Sequence, residues 1–516
     1  MRQRITYLLP QGTSVDPSTI KLTDDGLDFD DLEAAAEERR ITIGLTQLPE
    51  EIQTFLADFH ELHIRIASVL NHPTFSPAVS RLPPGLHAFF TPRTPNADTG
   101  LCDGLRNILG ERVKCSNSSE SFSKPPILSE RFAASSTYQF YNSPLDLAVV
   151  SQVLREGICG KFEEGSSLHT LCGVLAEAES AVNVDYDFDV ISHAVTITIL
   201  WPPVTREGTI RPRVAAKKLE AEDRLEVGIL SPEKADEPEE LSMGGYLTVI
   251  GEDERPNPTI FSFPSRHHPL PQHDKTTYTA TFAPPTGLHP KLTLSLPAST
   301  LQPPKEDSCA LHAYWTLPTA LFIDRYQLSD PLFLASQNLI ALRSLSGAQD
   351  LEAPDWAVKH PWGSAALFEL ATPNVTTTAE DGFWNITIPT HLRYVNSTLS
   401  IDGKTPLAIP WPTVFWACEA QEGLKMSTNP FDRVNLGYDG LFGPKTMFYH
   451  VPPNGEVEKL VELLWVPTLD VKNSGWVSFG TVLAVLLGFG WVCWRLVRGV
   501  GGSEKKEGEG KKEQCF

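Results

Sequence analysis

Residues Trp476 to Trp494 read Trp-Val-Ser-Phe-Gly-Thr-Val-Leu-Ala-Val-Leu-Leu-Gly-Phe-Gly-Trp-Val-Cys-Trp, without a charge, and Arg495 and Arg498 follow at once. A helix of that length, rising ~1.5 Å per residue, covers ~28 Å, about one hydrocarbon core. Tryptophans stand at both ends, as an interfacial belt would place them. Gly480, Gly488 and Gly490 would weaken a helix in water, and the segment has no polar stripe to face solvent. The expectation is one transmembrane helix over residues 476–498, so the rest of the chain must lie to either side of a membrane.

The flanks give the orientation. Arg495, Arg498, Lys505, Lys506, Lys511 and Lys512 follow the span, whereas only Lys459 and Lys472 are basic in the stretch before it. The positive-inside rule places the tail, residues 499–516, in the cytosol and the large N-terminal part in a lumen. Gly480, Ala484 and Gly488 are spaced by four, a candidate helix-packing face where another helix can approach closely.

A formal net charge of -21 argues against nucleic-acid binding and against anionic membranes as a partner for the bulk of the chain. Forty-two prolines favour short strands joined by irregular loops over long helices. Six cysteines precede the span, an even number in an oxidising compartment. Short separations suggest Cys102 with Cys115 and Cys159 with Cys172, leaving Cys309 with Cys418; free buried cysteines are the alternative. Asn117, Asn374, Asn385 and Asn396 each open an N-glycosylation triplet, in agreement with a lumenal location. The opening Met1 to Pro10 has a basic start but too little apolar core for a secretory signal peptide. Translocation directed by the distant span, or by an internal segment, is the expectation; a cytosolic ectodomain is the alternative.

Along the chain, residues 1–204 read as a mixed α+β region. Ile52, Phe55, Leu56 and Phe59 fall at helical spacing after Pro49-Glu50-Glu51. Ser143-Pro144-Leu-Asp146 signals a second helix start, with Leu147, Val150 and Leu154 carrying it. A strand is expected over Val190 to Leu200. Residues 205–240 are charged and poor in aromatics, which predicts a linker or long loop. Residues 241–475 show short alternating runs broken by Pro and Gly, including 246–250, 276–282, 291–296, 320–323, 366–370, 384–388, 395–401 and 459–466. Their spacing predicts a mainly β, antiparallel sandwich-like domain.

No catalytic centre emerges. Asp28-Phe-Asp30 and Asp185-Tyr-Asp187-Phe-Asp189 resemble metal-holding acidic motifs of sugar-nucleotide enzymes, but no nucleotide-binding βαβ pattern surrounds them. A solvated loop or edge strand is the reading for both. His60-Glu61-Leu62-His63 has the wrong spacing for a zinc-protease helix, and His267, His268 and His273 have no further ligand at a recognisable interval. No cofactor and no metal site are expected.

Certain blocks of the second half carry a resemblance. They are Cys309-Ala-Leu-His312-Ala-Tyr-Trp-Thr-Leu-Pro318, Leu321-Phe-Ile-Asp324-Arg-Tyr326, Asp350-Leu-Glu352-Ala-Pro354-Asp355-Trp356, Ile388-Pro-Thr-His391-Leu-Arg393-Tyr394 and Val466-Pro-Thr-Leu-Asp470. In that order, ending in one span, they resemble the PIG-X family, the accessory subunit of GPI mannosyltransferase I, over about Cys309 to Val497. The opening Met1-Arg-Gln-Arg-Ile-Thr, Tyr141-Asn-Ser-Pro144 and Arg266-His-His-Pro269 are similar to the longer fungal Pbn branch. The resemblance implies a glycoprotein of the endoplasmic reticulum membrane with its large domain lumenal. It implies a non-catalytic subunit that stabilises a multi-spanning catalytic partner, which transfers the first mannose from dolichol-phosphate-mannose to the GPI precursor. In the family's motif, Pro389 and Tyr394 are read as shaping a strand end. His391 and Arg393 alternate on one strand face and are candidates for a polar contact with a partner loop. The competing readings are a lumenal chaperone or cargo adaptor, and a membrane-anchored hydrolase or transferase.

Overall fold

The computed structural model describes all residues except 30–31, 33–34, 95–98, 111–112, 127–136, 144–146, 158–166, 204–213, 218–222, 271–275, 285–286, 306–308, 374–381, 399–402, 421–428, 432–435 and 510–516. Contacts divide it into two units: Met1–Tyr394 with Ala408–Leu464, and Val395–Leu407 with Trp465–Phe516.

The first unit is built on a ten-stranded sheet. Its spatial order is Asn257–Pro264, Glu240–Val249, Arg224–Glu233, Arg2–Leu8, Ala36–Gly44, Ala194–Trp201, Asn183–Asp189, Phe59–Ala67, Gly85–Pro92 and Tyr138–Asn142. Arg2–Leu8 and Arg224–Glu233 run parallel, and every other neighbouring pair is antiparallel. Side chains alternate across a strand, so each sheet face has its own composition. One face is apolar, with Ile41, Ile197, Ile199, Val184, Phe188, Leu62, Ile66, Ala88, Phe90 and Phe140 buried in it. Helices Leu101–Leu109, Leu147–Gly157 and Ser167–Ala176 contribute Leu101, Leu105, Leu109, Leu147, Val150, Leu171 and Leu175 to the same core. Helix Leu101–Leu109 offers an apolar stripe at i, i+4 and i+8, and stops at Gly110, whose φ of +67° suits a residue without Cβ.

The opposite face is polar, and its part from Tyr141 to Thr198 is still buried, with Arg40, Arg4 and Glu226 half-buried. Tyr141, His87, Arg65, Asp185, Thr198, Arg40, Arg4 and Glu226 face one another pairwise in a row across eight strands. A six-stranded sheet closes over it, in the order His267–Pro269, Thr446–His450, Thr413–Glu419, Cys309–Leu317, Ser364–Leu370 and Leu339–Gly347. Tyr314 and Tyr438 join the common core, and Gln139 Nε2 donates to Tyr314 Oη at 2.7 Å. The other side of the six-stranded sheet carries Trp315, whose ring meets Phe282 of a three-stranded sheet formed by Thr279–Phe282, Lys291–Pro297 and Phe383–Pro389. The chain is mainly β with sheets packed face to face, as its alternation predicts.

Several expectations are corrected. Within the stretch expected as a linker at 205–240, the described residues Arg224–Glu233 form an interior strand, with Leu225, Val227 and Ile229 buried. Their period-two alternation outweighs the surrounding charge, and it fuses the regions expected at 1–204 and 241–475 into one sheet. The helix after Pro49 ends at Leu56, and Phe59 instead opens the strand Phe59–Ala67, where its side chain is fully buried. The expected strand over Val190 to Leu200 begins only at Ala194, after a turn in which Asp189 accepts from the amides of Ile191 and Ser192. Ser143-Pro144-Leu-Asp146 lies largely outside the described residues; the helix after it is present. Cys102–Cys115 and Cys309–Cys418 are disulfides. Cys172 is also disulfide-bonded, and Cys159 lies outside the described residues.

In the second unit, Thr398, Thr405 and Thr468 join their hydroxyls at 3.0 and 2.8 Å. Asp470 then accepts from the amide of Lys472, capping the helix Val471–Glu509. This helix begins before Trp476 and runs beyond residue 498, into what sequence assigned to the tail. Its apolar window, Val471–Arg498, is long enough to cross a membrane and is unburied by the chain itself. Arg498 lies over the Trp494 ring, 4.2 Å from its centroid, at the cytosolic end predicted for the span.

Candidate partner-binding site

The block Pro389 to Tyr394 works as a junction between loops. Its short strand His391–Leu392 pairs with Leu321–Phe322. Backbone amides of Thr390, Leu392 and Arg393 donate to Pro290, Leu288 and Ala320, and Asp355 N donates to Tyr394 O at 2.9 Å. Phe322 is the centre of this arrangement. The His391 ring stacks on it at 5.2 Å, and the Arg393 guanidinium sits 4.4 Å from its centroid.

Arg393 is buried. Its Nη1 donates to Ala353 O at 3.0 Å, while Nε and Nη2 find no acceptor among the described residues. Burial lowers its pKa, against the opposing fields of Asp350 and Asp355. His391 is half-buried; its Nδ1 lies 2.8 Å from His289 Nδ1 and its Nε2 3.2 Å from Gln327 Oε1. One ring must donate and the other accept across the first contact, so the pair does not carry two charges. Burial first, then His289, holds His391 below the usual histidine range.

Around this junction the surface is aromatic. Tyr394 is 75% exposed, Trp356 57% and Tyr326 62%. Trp356 follows Asp355, which is bonded to Tyr394, and Tyr326 precedes Gln327, which meets His391. Large exposed aromatics grouped in this way are typical anchors of protein–protein contacts. Tyr394, which sequence reasoning assigned to shaping a strand end, therefore presents its side chain outward. Trp356 and Tyr326 lie within the blocks that carry the family resemblance, and the sequence alone assigns them no role. Exposure distinguishes them, and exposure is not written in the local sequence.

The other candidates are dispersed. Asn385 is exposed in the strand Phe383–Pro389, Asn396 is exposed in the second unit, and Asn117 is half-buried; Asn374 is outside the described residues. Gly480, Ala484 and Gly488 share one exposed face, and a Cβ at either glycine would meet nothing within 4 Å. The acidic triplet at Asp185 is neither a loop nor an edge strand. It lies inside the large sheet, where Asp185 pairs with Arg65 and Asp187 with His63. Asp28 lies in the strand Gly26–Phe29, and Asp30 is outside the described residues. His267 is bonded to His450 at 2.8 Å in the core, and His273 is outside the described residues. Among the described residues, no group of three or more His, Cys, Asp or Glu is arranged to hold a metal ion.

A β-rich unit together with one apolar helix long enough to cross a membrane, among the described residues, defines a single-pass membrane protein. Residues 285–497 match the family described as PIG-X / PBN1. The protein pbn1 of Emericella nidulans is 44% identical, covering 96% of this chain and 95% of that protein. That of Neurospora crassa is 42% identical over the same shares, and PBN1 of Saccharomyces cerevisiae is 26% identical over 64% of this chain and 70% of its own. The chain belongs to the PIG-X / PBN1 family, and is an accessory protein of GPI-anchor biosynthesis.

Proposed function

We propose that this chain is the non-catalytic subunit of GPI mannosyltransferase I in the endoplasmic reticulum membrane. Its β-rich unit faces the lumen, and it stabilises the multi-spanning subunit that moves the first mannose from dolichol-phosphate-mannose to the GPI precursor. The observation that carries this reading is the exposed aromatic surface of Tyr326, Trp356 and Tyr394, which lies within the family-matched residues 285–497. The flanking charges and sequons support the lumenal orientation. A partner that covers such a surface on one side, and an unpaired loop of the catalytic subunit on the other, favours the assembled fold by mass action.

Purification of the full chain in mild detergent tests this. One stoichiometric multi-spanning partner, with mannosyl transfer to a GPI precursor in the eluate, is the expected result. Many substoichiometric glycoprotein clients would instead establish a chaperone or cargo adaptor. Transfer by the isolated chain would establish an enzyme.

A further inference from the structure

A half-open cleft lies at one end of the seam between the ten-stranded and six-stranded sheets. Arg65, His72, Arg81, Asn183, Tyr278 and Trp411 are among its walls, and its inner volume is about 50 Å³. The lining includes no Asp or Glu, although acids outnumber bases 64 to 43 over the chain. Arg81 makes the cleft unusual. Its Nη2 donates to His72 O and to Thr74 Oγ1, both at 2.7 Å, which fixes the guanidinium plane. Nε and Nη1, on opposite edges of the guanidinium, have no acceptor among the described residues, so three N–H groups are left over as single-point donors.

Other arginines of this seam are given carboxylates. Arg65 has Asp185, and Arg4 and Arg40 share Glu38. A sheltered guanidinium without a counter-ion is costly unless something anionic supplies one. His72 adds a second donor-capable group, since its buried Nε2 has no partner among the described residues. Burial, and then the Arg81 charge, pull the His72 pKa to about 4, so its ring is neutral and can present an N–H.

We propose that this cleft binds a phosphate oxyanion, held by the charge and an unpaired N–H of Arg81 with His72 beside it. The volume accepts a tetrahedral oxyanion or a few waters, and is far below the ~300 Å³ at which pockets begin to enclose whole organic ligands. The open side leaves room for an ester oxygen, so the phosphate can be free or can belong to a phosphorylated headgroup.

The test uses the full chain in detergent, titrated with sodium phosphate or with glycerol 3-phosphate against sodium chloride at matched ionic strength. Thermal unfolding and ³¹P line width are the readouts. Phosphate is expected to broaden its own resonance and raise Tm by about 2–5 °C near tenfold excess over Kd. Arg81→Gln should abolish both responses, and Arg81→Lys, which keeps the charge but loses the anchoring bonds to His72 O and Thr74 Oγ1, should weaken binding by roughly tenfold. Arg325→Gln, on the exposed surface, should leave them intact. A response to both anions assigns a phosphate ester, and a response to inorganic phosphate alone assigns the free ion. Equal Tm in phosphate and chloride, with an unbroadened ³¹P line, would show that the cleft holds only water. An undiminished response in Arg81→Gln would also overturn the proposal. If that variant does not fold, the wild-type ³¹P titration and Arg81→Lys decide the matter.

Discussion

Arg65 and Asp185, on neighbouring interior strands, form a buried two-point ion pair, with Nε–Oδ1 at 2.6 Å and Nη2–Oδ2 at 3.2 Å. Asn183 donates to the same carboxylate. The motif that resembles a sugar-nucleotide metal site is thus a structural rivet between two neighbouring strands of the ten-stranded sheet.

The first prediction follows from that pair. Asp185→Asn strands a buried guanidinium and should cost about 3–5 kcal/mol. Asp189→Asn can keep its turn contacts and should cost under about 1 kcal/mol. Chemical denaturation of the purified chain would separate the two, and equal midpoints would contradict the pairing. Arg65→Met combined with Asp185→Leu should recover part of the loss, because both charges leave together.

Acid should destabilise the first unit well before its carboxylates titrate. Burial holds His87 and His450 neutral to about pH 3, and also lowers His267, His268 and His312. Histidine in the unfolded chain titrates near ~6.5. The unfolded state therefore takes up protons first as pH falls. The stability conferred by these neutral rings is full above pH ~6.5 and is lost progressively below it. The slope is ~1.4 kcal/mol per pH unit for each histidine. Urea midpoints at pH 7, 6 and 5 measure it, and His87→Gln should reduce the slope by about one proton. A midpoint constant across that range would refute the assignment.

Neighbouring residues of one motif should give opposite phenotypes. Arg393→Ala removes the contact with Phe322 and the bond to Ala353 O, and should cost about 2 kcal/mol of stability. Tyr394→Ser and Trp356→Ser touch exposed side chains and should leave stability within about 0.5 kcal/mol. If the aromatic surface carries the partner, the latter two reduce co-purification of the catalytic subunit several-fold while this chain stays abundant. Full partner recovery in the Tyr394→Ser, Trp356→Ser double variant would move the interface elsewhere.

The helix offers an independent test. Gly480→Leu with Gly488→Leu should insert normally, since leucine favours insertion by a few tenths of a kcal/mol per residue. Its bulk would hold another helix away from the small-residue face and weaken close packing. Partner recovery should fall while glycosylation at the sequons persists. Unchanged recovery, also seen when an unrelated apolar helix replaces the span, would make that face incidental.

Much of this protein is legible in one dimension. The uncharged run ending at Trp494 needs only its length and its flanking arginines to be read as a span. Alternation in 291–296 and 384–388 suffices for strands, because the period of two is a local property of the backbone. What was missed depends on which face another layer covers. The run Arg224 to Glu233 alternates correctly, but the charge around it disguised a strand whose Leu225, Val227 and Ile229 line a core. Asp185, Asp187 and Asp189 alternate as well, and sequence places all three on one face without saying whether water or protein lies above it. The six-stranded sheet settles that by burying Asp185 against Arg65. In the same way His391, Arg393 and Tyr394 are near neighbours in sequence, and only tertiary packing turns one guanidinium inward onto Phe322 and leaves the next ring exposed. Periodicity is fixed by bond geometry between adjacent residues, whereas burial depends on chain segments hundreds of residues away.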